Sequence, residues 1–205
     1  MSRAPANIED FSLPIPPPTT TDLLDELLGG FEVSLSEAEV FSDPHWVYEN
    51  LIIDGHITVI VAEPNGGKTA LMWHLSPLIR QKGYQVFYIN SDIGASDARS
   101  MIPEAQAGGF RLLLPDIKGD GMPDVIDRLI KLAKSGQTLS RTLIIIDTLK
   151  KASSPNQKEQ MRNFMKLCRK LTGQGATLVL LGHTNKYYND DGLPQYEGVG
   201  DIRSD

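Results

Sequence analysis

Ala62-Glu63-Pro64-Asn65-Gly66-Gly67-Lys68-Thr69 has the make-up of a phosphate-binding loop, with Ala62 where such loops usually carry Gly. The chemistry needs successive backbone N–H groups turned inward at a helix N-terminus, and Gly66 and Gly67 tolerate the dihedrals this requires. Lys68 is placed to reach the β- and γ-phosphates of a bound nucleotide, and the Thr69 hydroxyl to take one position on Mg²⁺. About eighty residues on, the apolar run Leu143-Ile144-Ile145-Ile146 ends at Asp147. A carboxylate at the C-terminal end of a central strand lies beside the loop of the first strand, where it can hold a water of the magnesium shell. An Asp at a strand end carries little alone. Paired with the upstream loop it points to a nucleotide site.

Those residues need strands to carry them and helices to cover the strands. His56–Val61 is a β-branched run leading into the loop, and an apolar-periodic helix follows to about Gln81. Gln85–Asn90 predicts a second strand, with a helix from near Ser96. Phe110–Leu114 is a short third strand, and Pro123–Lys134 a helix with Val125, Ile126, Leu129, Ile130 and Ala133 on one face. Thr142–Ile146 is wholly apolar after its first residue, and Lys158–Leu171 turns Met161, Phe164, Met165, Cys168 and Leu171 inward. Thr177–Leu181 is the last strand and leads to Gly182-His183-Thr184-Asn185-Lys186. Strands without polar alternation are buried on both faces, and the helices between them imply parallel order with right-handed crossovers. The fold class is α/β.

Three segments together resemble a known family: Glu63–Thr69, the strand end Ile145-Ile146-Asp147-Thr148-Leu149, and Leu181-Gly182-His183-Thr184-Asn185-Lys186. They are similar to the RecA-like P-loop ATPases of the AAA family, and within them to the branch of RepA-type hexameric replicative helicases. Trp46–Ile52 resembles that branch's lead-in to the first strand, so the likeness covers about residues 45 to 203. It implies a mainly parallel sheet flanked by helices, ATP and Mg²⁺ as ligands, a homo-oligomeric ring, and single-stranded DNA as partner. It implies nucleotide contacts from Glu63, Pro64, Asn65, Gly66, Gly67, Lys68, Thr69 and Ala70, with Thr69 and, through water, Asp147 on the metal. The family's water-activating Glu matches Asp92, one methylene shorter, and its γ-phosphate-sensing His matches His183. Asp92 also has a plain reading as a turn cap, and His183 one as a structural strand residue. RecA-like sheets resemble the strand order 5-1-4-3-2, and no fifth strand follows the His motif before Asp205, which leaves the phosphate-loop strand with an open edge to be covered. Arg203 is an arginine-finger candidate by proximity alone.

In such rings the loops after the third and fourth core strands line the channel, which here are Lys150–Gln157 and Lys186–Gly200. Lys150, Lys151 and Lys186 offer cations to phosphate, and Tyr187 and Tyr188 offer rings to bases. Residues 150–170 carry a net +6, with Arg162, Lys166 and Lys170 on one helix face. A basic face of this kind is either a nucleic-acid contact or solvated surface.

Charge divides the chain. Residues 1–45 hold nine acids and one base, net −8, while the rest hold nineteen bases and seventeen acids, net +2. The overall −6 therefore describes the arm and does not argue against nucleic-acid binding by the core. That arm also holds six of the thirteen prolines, and it predicts a short helix over Thr21–Leu28 and another started by a capping box at Ser34. Its uses are local packing or docking on a neighbouring subunit or a protein partner. The expected division is an acidic arm over 1–45 and an ATPase core over 46–205. No apolar run reaches membrane-spanning length and no secretory leader is visible, and Cys168 is the sole cysteine, which together make the cytoplasm the expected location. The function expected is hydrolysis of Mg²⁺-ATP coupled to single-stranded DNA. The alternative is a weakly hydrolysing ATP-binding switch or scaffold acting on a protein partner.

Overall fold

The computed structural model describes residues 20–41, 43–149, 157–188 and 194–196. The chain separates into two units, residues 1–43 and 44–205. In the first, α1 (Thr20–Leu28) runs into a 3-10 turn over Gly29–Phe31, and α2 (Leu35–Ala38) follows. Ser34 starts α2 with a capping box: its N–H donates to Glu37 Oε2 at 2.8 Å, and its Oγ accepts from the Glu37 N–H at 3.3 Å.

The second unit opens with a two-stranded antiparallel pair, β1 (Trp46–Tyr48) and β2 (Ile52–Ile53), and continues as β3 (Ile57–Ala62), α3 (Lys68–Gln81), β4 (Gln85–Asn90), α4 (Ala95–Ala107), β5 (Arg111–Leu113), α5 (Pro115–Lys118), α6 (Met122–Lys134), β6 (Thr142–Asp147), α7 (Gln157–Thr172), β7 (Ala176–Tyr188) and β8 (Pro194–Tyr196). The main sheet has the order β3-β7-β6-β4-β5, all parallel, with β8 antiparallel to the end of β7. With β3, β4, β6 and β7 as the first to fourth core strands, the order reads 1-4-3-2, and β5 extends it beyond the second. Among the described residues β3 has a strand neighbour on one side only, and all six of its residues are half-buried.

Strand alternation distributes the core between the two faces. Leu143, Ile145, Val179 and Leu181 point to one face, where Met72, Leu75 and Ile79 of α3 cover them together with Val47 and Ile52 of the β1–β2 pair. Ile144, Ile146, Leu178 and Leu180 point to the other, beneath Leu129 and Ala133 of α6 and Met161, Phe164, Leu167, Cys168 and Leu171 of α7. Coverage on both sides is why β6 and β7 read as unbroken apolar runs. Burial pushes the Cys168 thiol up to about 12, so it acts here as a packed apolar group.

Three features depart from the pattern read along the chain. The β1–β2 pair and α5 add elements where the sequence predicts none, each only two to four residues long. Strand β7 does not stop at Leu181: it continues seven residues further, because Thr184 and Tyr188 pair with Tyr196 and Pro194 of β8. Lys186, Tyr187 and Tyr188 therefore belong to a strand, and not to the loop expected there.

Candidate functional site

The register of the sheet brings the chemistry to one end. Ala62 pairs with His183, and Asn90, Asp147 and Leu181 lie level across β4, β6 and β7. By alternation Asp147, His183, Tyr88 and Asn90 all fall on the face that α3 covers, and α3 starts at that end of β3. This is the carboxyl end of parallel strands beside a helix N-terminus, the usual place for an anionic ligand in such sheets.

Between β3 and α3 the loop is formed by backbone that few sequences adopt. Gly66 N–H donates to Glu63 O at 2.9 Å to close a turn, and Asn65 and Gly67 have φ of +62° and +81°. A Cβ on Gly66 would stand 2.9 Å from both Ala62 Cβ and Glu63 O, so only glycine fits there. Gly67 caps α3 without a side chain, which leaves the first N–H groups of this fourteen-residue helix to face a ligand.

Lys68 is 6% exposed, and its ammonium is held by Ala62 O at 2.9 Å, Glu63 O at 3.0 Å and His183 Nδ1 at 3.2 Å. Burial lowers its pKa, and the nearby Asp147 carboxylate partly opposes that. Acceptance of the Lys68 proton by Nδ1 puts the His183 ring hydrogen on Nε2, which lies 3.9 Å from Asp92 Oδ2. Asp92 is about half exposed, and its own N–H donates to Asn90 Oδ1 at 2.8 Å.

Asp147 is the most enclosed carboxylate of the site at 4% exposure. Its Oδ2 accepts from Thr69 Oγ1 at 2.7 Å, Tyr88 OH at 2.9 Å and Asn90 Nδ2 at 3.4 Å. Its backbone carbonyl accepts from Ser91 N–H at 2.9 Å, and the peptide that follows it is cis. Tyr88 is wholly buried, and burial first, then the Asp147 charge, raises its pKa well above the ordinary value, so it stays a neutral donor.

The residues present fit a nucleotide with Mg²⁺. The glycine cradle excludes a Cβ where phosphate oxygens would approach, Lys68 supplies a buried cation, and Thr69 and Asp147 supply adjacent hard oxygens. Among the described residues no group of three or more His, Cys, Asp and Glu side chains comes together. Magnesium in nucleotide sites takes its remaining ligands from water and phosphate.

Of the residues singled out in the sequence, Lys68, Thr69, Asp92, Asp147 and His183 come together here, with Glu63, Pro64, Asn65, Gly66, Gly67 and Ala70 forming the loop and the first turn of α3. Lys150, Lys151 and Arg203 lie outside the described residues, as do most of the two expected channel loops. Arg162, Lys166, Arg169 and Lys170 are exposed on α7. Two site residues, Tyr88 and Asn90, carry no motif and are missed by sequence reasoning. Their signal is the period-two spacing of 88 and 90 on β4, which becomes meaningful only once the register sets Asn90 level with Asp147.

The sequence profile described as AAA domain matches residues 21–188. The chain belongs to the AAA domain family. It is an ATPase domain with the RecA-like P-loop fold. Among solved structures it is similar to the ATPase domain of a helicase, with a TM-score of 0.52 and 13% identity over 80% of this chain and 72% of that one, a likeness of fold. No curated protein matches the sequence. Among the described residues no helix is long and apolar enough to cross a membrane.

Proposed function

We propose that this AAA-family chain binds and hydrolyses Mg²⁺-ATP at the end of the β3–β7–β6–β4 sheet, within a ring of identical subunits, and couples the turnover to single-stranded DNA. The observation that carries the reading is one connected set of contacts: Thr69 to Asp147 on the metal side, and Lys68 to His183 to Asp92 on the water side. In this reading the loop N–H groups and the α3 N-terminus bind the phosphates, and Lys68 leaves the carbonyls of Ala62 and Glu63 to meet the β- and γ-phosphates. Magnesium, when bound, would neutralise charge developing on the phosphate oxygens. Thr69 and Asp147 would hold it, directly and through water. Asp92 accepts a proton from the attacking water, and His183, which touches both Lys68 and the Asp92 side, registers the γ-phosphate. DNA coupling is supported by the exposed basic face of α7 and by Lys186, Tyr187 and Tyr188 on the β7–β8 extension.

One observation favours a second reading, the weakly hydrolysing switch. Asp92 is short for its role, and its carboxylate is turned to within 3.9 Å of His183. Steady-state phosphate release, with and without single-stranded DNA and beside Lys68→Ala, separates the two. DNA stimulation that Lys68→Ala abolishes supports the motor. Tight ATP binding without turnover under either condition sinks it in favour of the switch.

A further inference from the structure

The contacts around Asp147 assign a role to a residue that no motif marks. We propose that Tyr88 is a positioning residue of the ATPase site, its buried hydroxyl holding the Asp147 carboxylate in the one rotation that serves Mg²⁺. The inference rests on the ATPase reading above and names what orients its metal-side carboxylate.

A carboxylate on the last residue of a strand has free rotation about χ2 unless its oxygens are held. Thr69 alone cannot hold it, because the same hydroxyl oxygen is the one offered to the metal and it moves with the phosphate loop. Tyr88 comes from β4, the neighbouring strand in the sheet, and is locked there by its ring. Trp73 stands edge-on to it at 5.5 Å between centroids, Phe110 lies at 6.3 Å, and Trp73 is itself tied by Nε1–H to Glu104 Oε2 at 2.8 Å. The hydroxyl thus reaches Asp147 Oδ2 from a rigid direction, on the side opposite to a loop that has to move. Asn90 adds a weaker donor to the same oxygen, and its Oδ1 accepts the Asp92 N–H. The two β4 residues therefore fix the metal-side carboxylate and tie it to the segment that carries the water-side one. A tyrosine that only filled the core would not direct its one polar atom at the metal-side residue.

The test is Tyr88→Phe, which keeps the ring packing and removes the hydroxyl alone, with Tyr84→Phe as the same deletion at the far end of the sheet. Mn²⁺ affinity of the chain–ADP complex is measured by electron paramagnetic resonance, and ADP affinity in EDTA by calorimetry. Removal of a group that orients a metal ligand typically weakens metal binding about ten- to a hundredfold. The expected result is a loss in that range for Tyr88→Phe, ADP affinity in EDTA unchanged within about twofold, and no change in either for Tyr84→Phe. Equal Mn²⁺ affinity in Tyr88→Phe and wild type overturns the role. A parallel loss of Mn²⁺ and metal-free ADP affinity also overturns it, since that is the pattern of a general packing defect. Asn90→Ala, which leaves the aromatic cluster intact, is expected to give a smaller loss in the same direction, and it keeps the test decisive if Tyr88→Phe folds poorly. A wild-type chain that binds no nucleotide overturns the ATPase reading itself, and this role with it.

Discussion

Asp147 and Asp54 sit at opposite ends of the same parallel strands, and each gathers a threonine hydroxyl and a buried tyrosine. Asp147 accepts from Thr69 and Tyr88. Asp54 Oδ1 accepts from Thr177 Oγ1 at 2.7 Å and Gly55 N–H at 3.1 Å, with His45 Nδ1 3.8 Å from its other oxygen and Tyr84 beside it. The groups match and the settings do not. At the Asp147 end the strands finish and α3 begins, so uncapped N–H groups and the buried Lys68 await an anion. At the Asp54 end α3 finishes, and the nearby cations are already used. Lys82 donates to Val47 O and lies over Tyr48, while Arg141 donates to Lys82 O and lies over Tyr84. The same side-chain chemistry becomes a ligand site where helix N-termini converge, and a staple joining loop, sheet and hairpin where they do not.

The largest expected effect separates the two carboxylates by activity. Asp147→Asn should lower ATP hydrolysis by about a hundredfold or more, as loss of a group that neutralises transferring phosphate does, while Asp54→Asn stays within about twofold of wild type. Phosphate release measured side by side decides it, and equal losses would erase the distinction. Next comes the water side of the functional end. Asp92→Asn is expected to lower turnover about a hundredfold, and Asp92→Glu, with one more methylene of reach, to raise it above wild type. Wild-type turnover in Asp92→Asn would remove Asp92 from the chemistry.

A smaller effect appears as stability alone. Asp54→Ala strands the Thr177 hydroxyl and the Gly55 N–H, for a loss of about 2 kcal/mol and a melting point about 4–8 °C lower. Thermal melts beside the activity assay check that the loss is not accompanied by a change in turnover per folded molecule. The smallest is an alkaline trend. Tyr84 is raised from 10 to about 12 by burial and then by Asp54, and Cys168 from 9 to about 12 by burial. Both hold their protons more tightly folded than unfolded. Their contribution is complete below about pH 9 and is lost as pH rises towards 12, because the unfolded chain ionises first. Tyr84→Phe should flatten the part of that fall above about pH 10, read from denaturant midpoints at intervals of pH. An unchanged alkaline slope would mean that Tyr84 takes no part in it.

Much of this arrangement is legible in the chain itself. The loop from Ala62 to Thr69, the strand ending at Asp147 and the helix over Pro123–Lys134 are each set by local rules: glycine where backbone is unusual, apolar runs where both faces are covered, and a helical period where one face is. The strand bounds Gln85–Asn90 match the structure, since the turn at Lys82-Gly83 and the polar Ser91-Asp92 end the run on either side. The extension of β7 past Leu181 is not legible, because its cause is pairing with β8 across a connecting segment, and pairing partners are not written in a strand's own composition. Leu167, buried on α7 though absent from the predicted inward set, widens the apolar stripe to meet α6 and the sheet together.

By itself the sequence determined that the chain makes an α/β phosphate-binding domain and which residues carry the charge, the hydroxyl and the imidazole. Those follow from residue type and spacing within a few turns of chain. Only the tertiary structure decided that Lys68 rests on His183, that Asp147 is held by Tyr88, and that Asn90 spans from Asp147 to the Asp92 backbone. Each of these arrangements joins residues on different elements of the sheet and its loops, and the pairing register that levels them depends on the whole sheet closing around two cores.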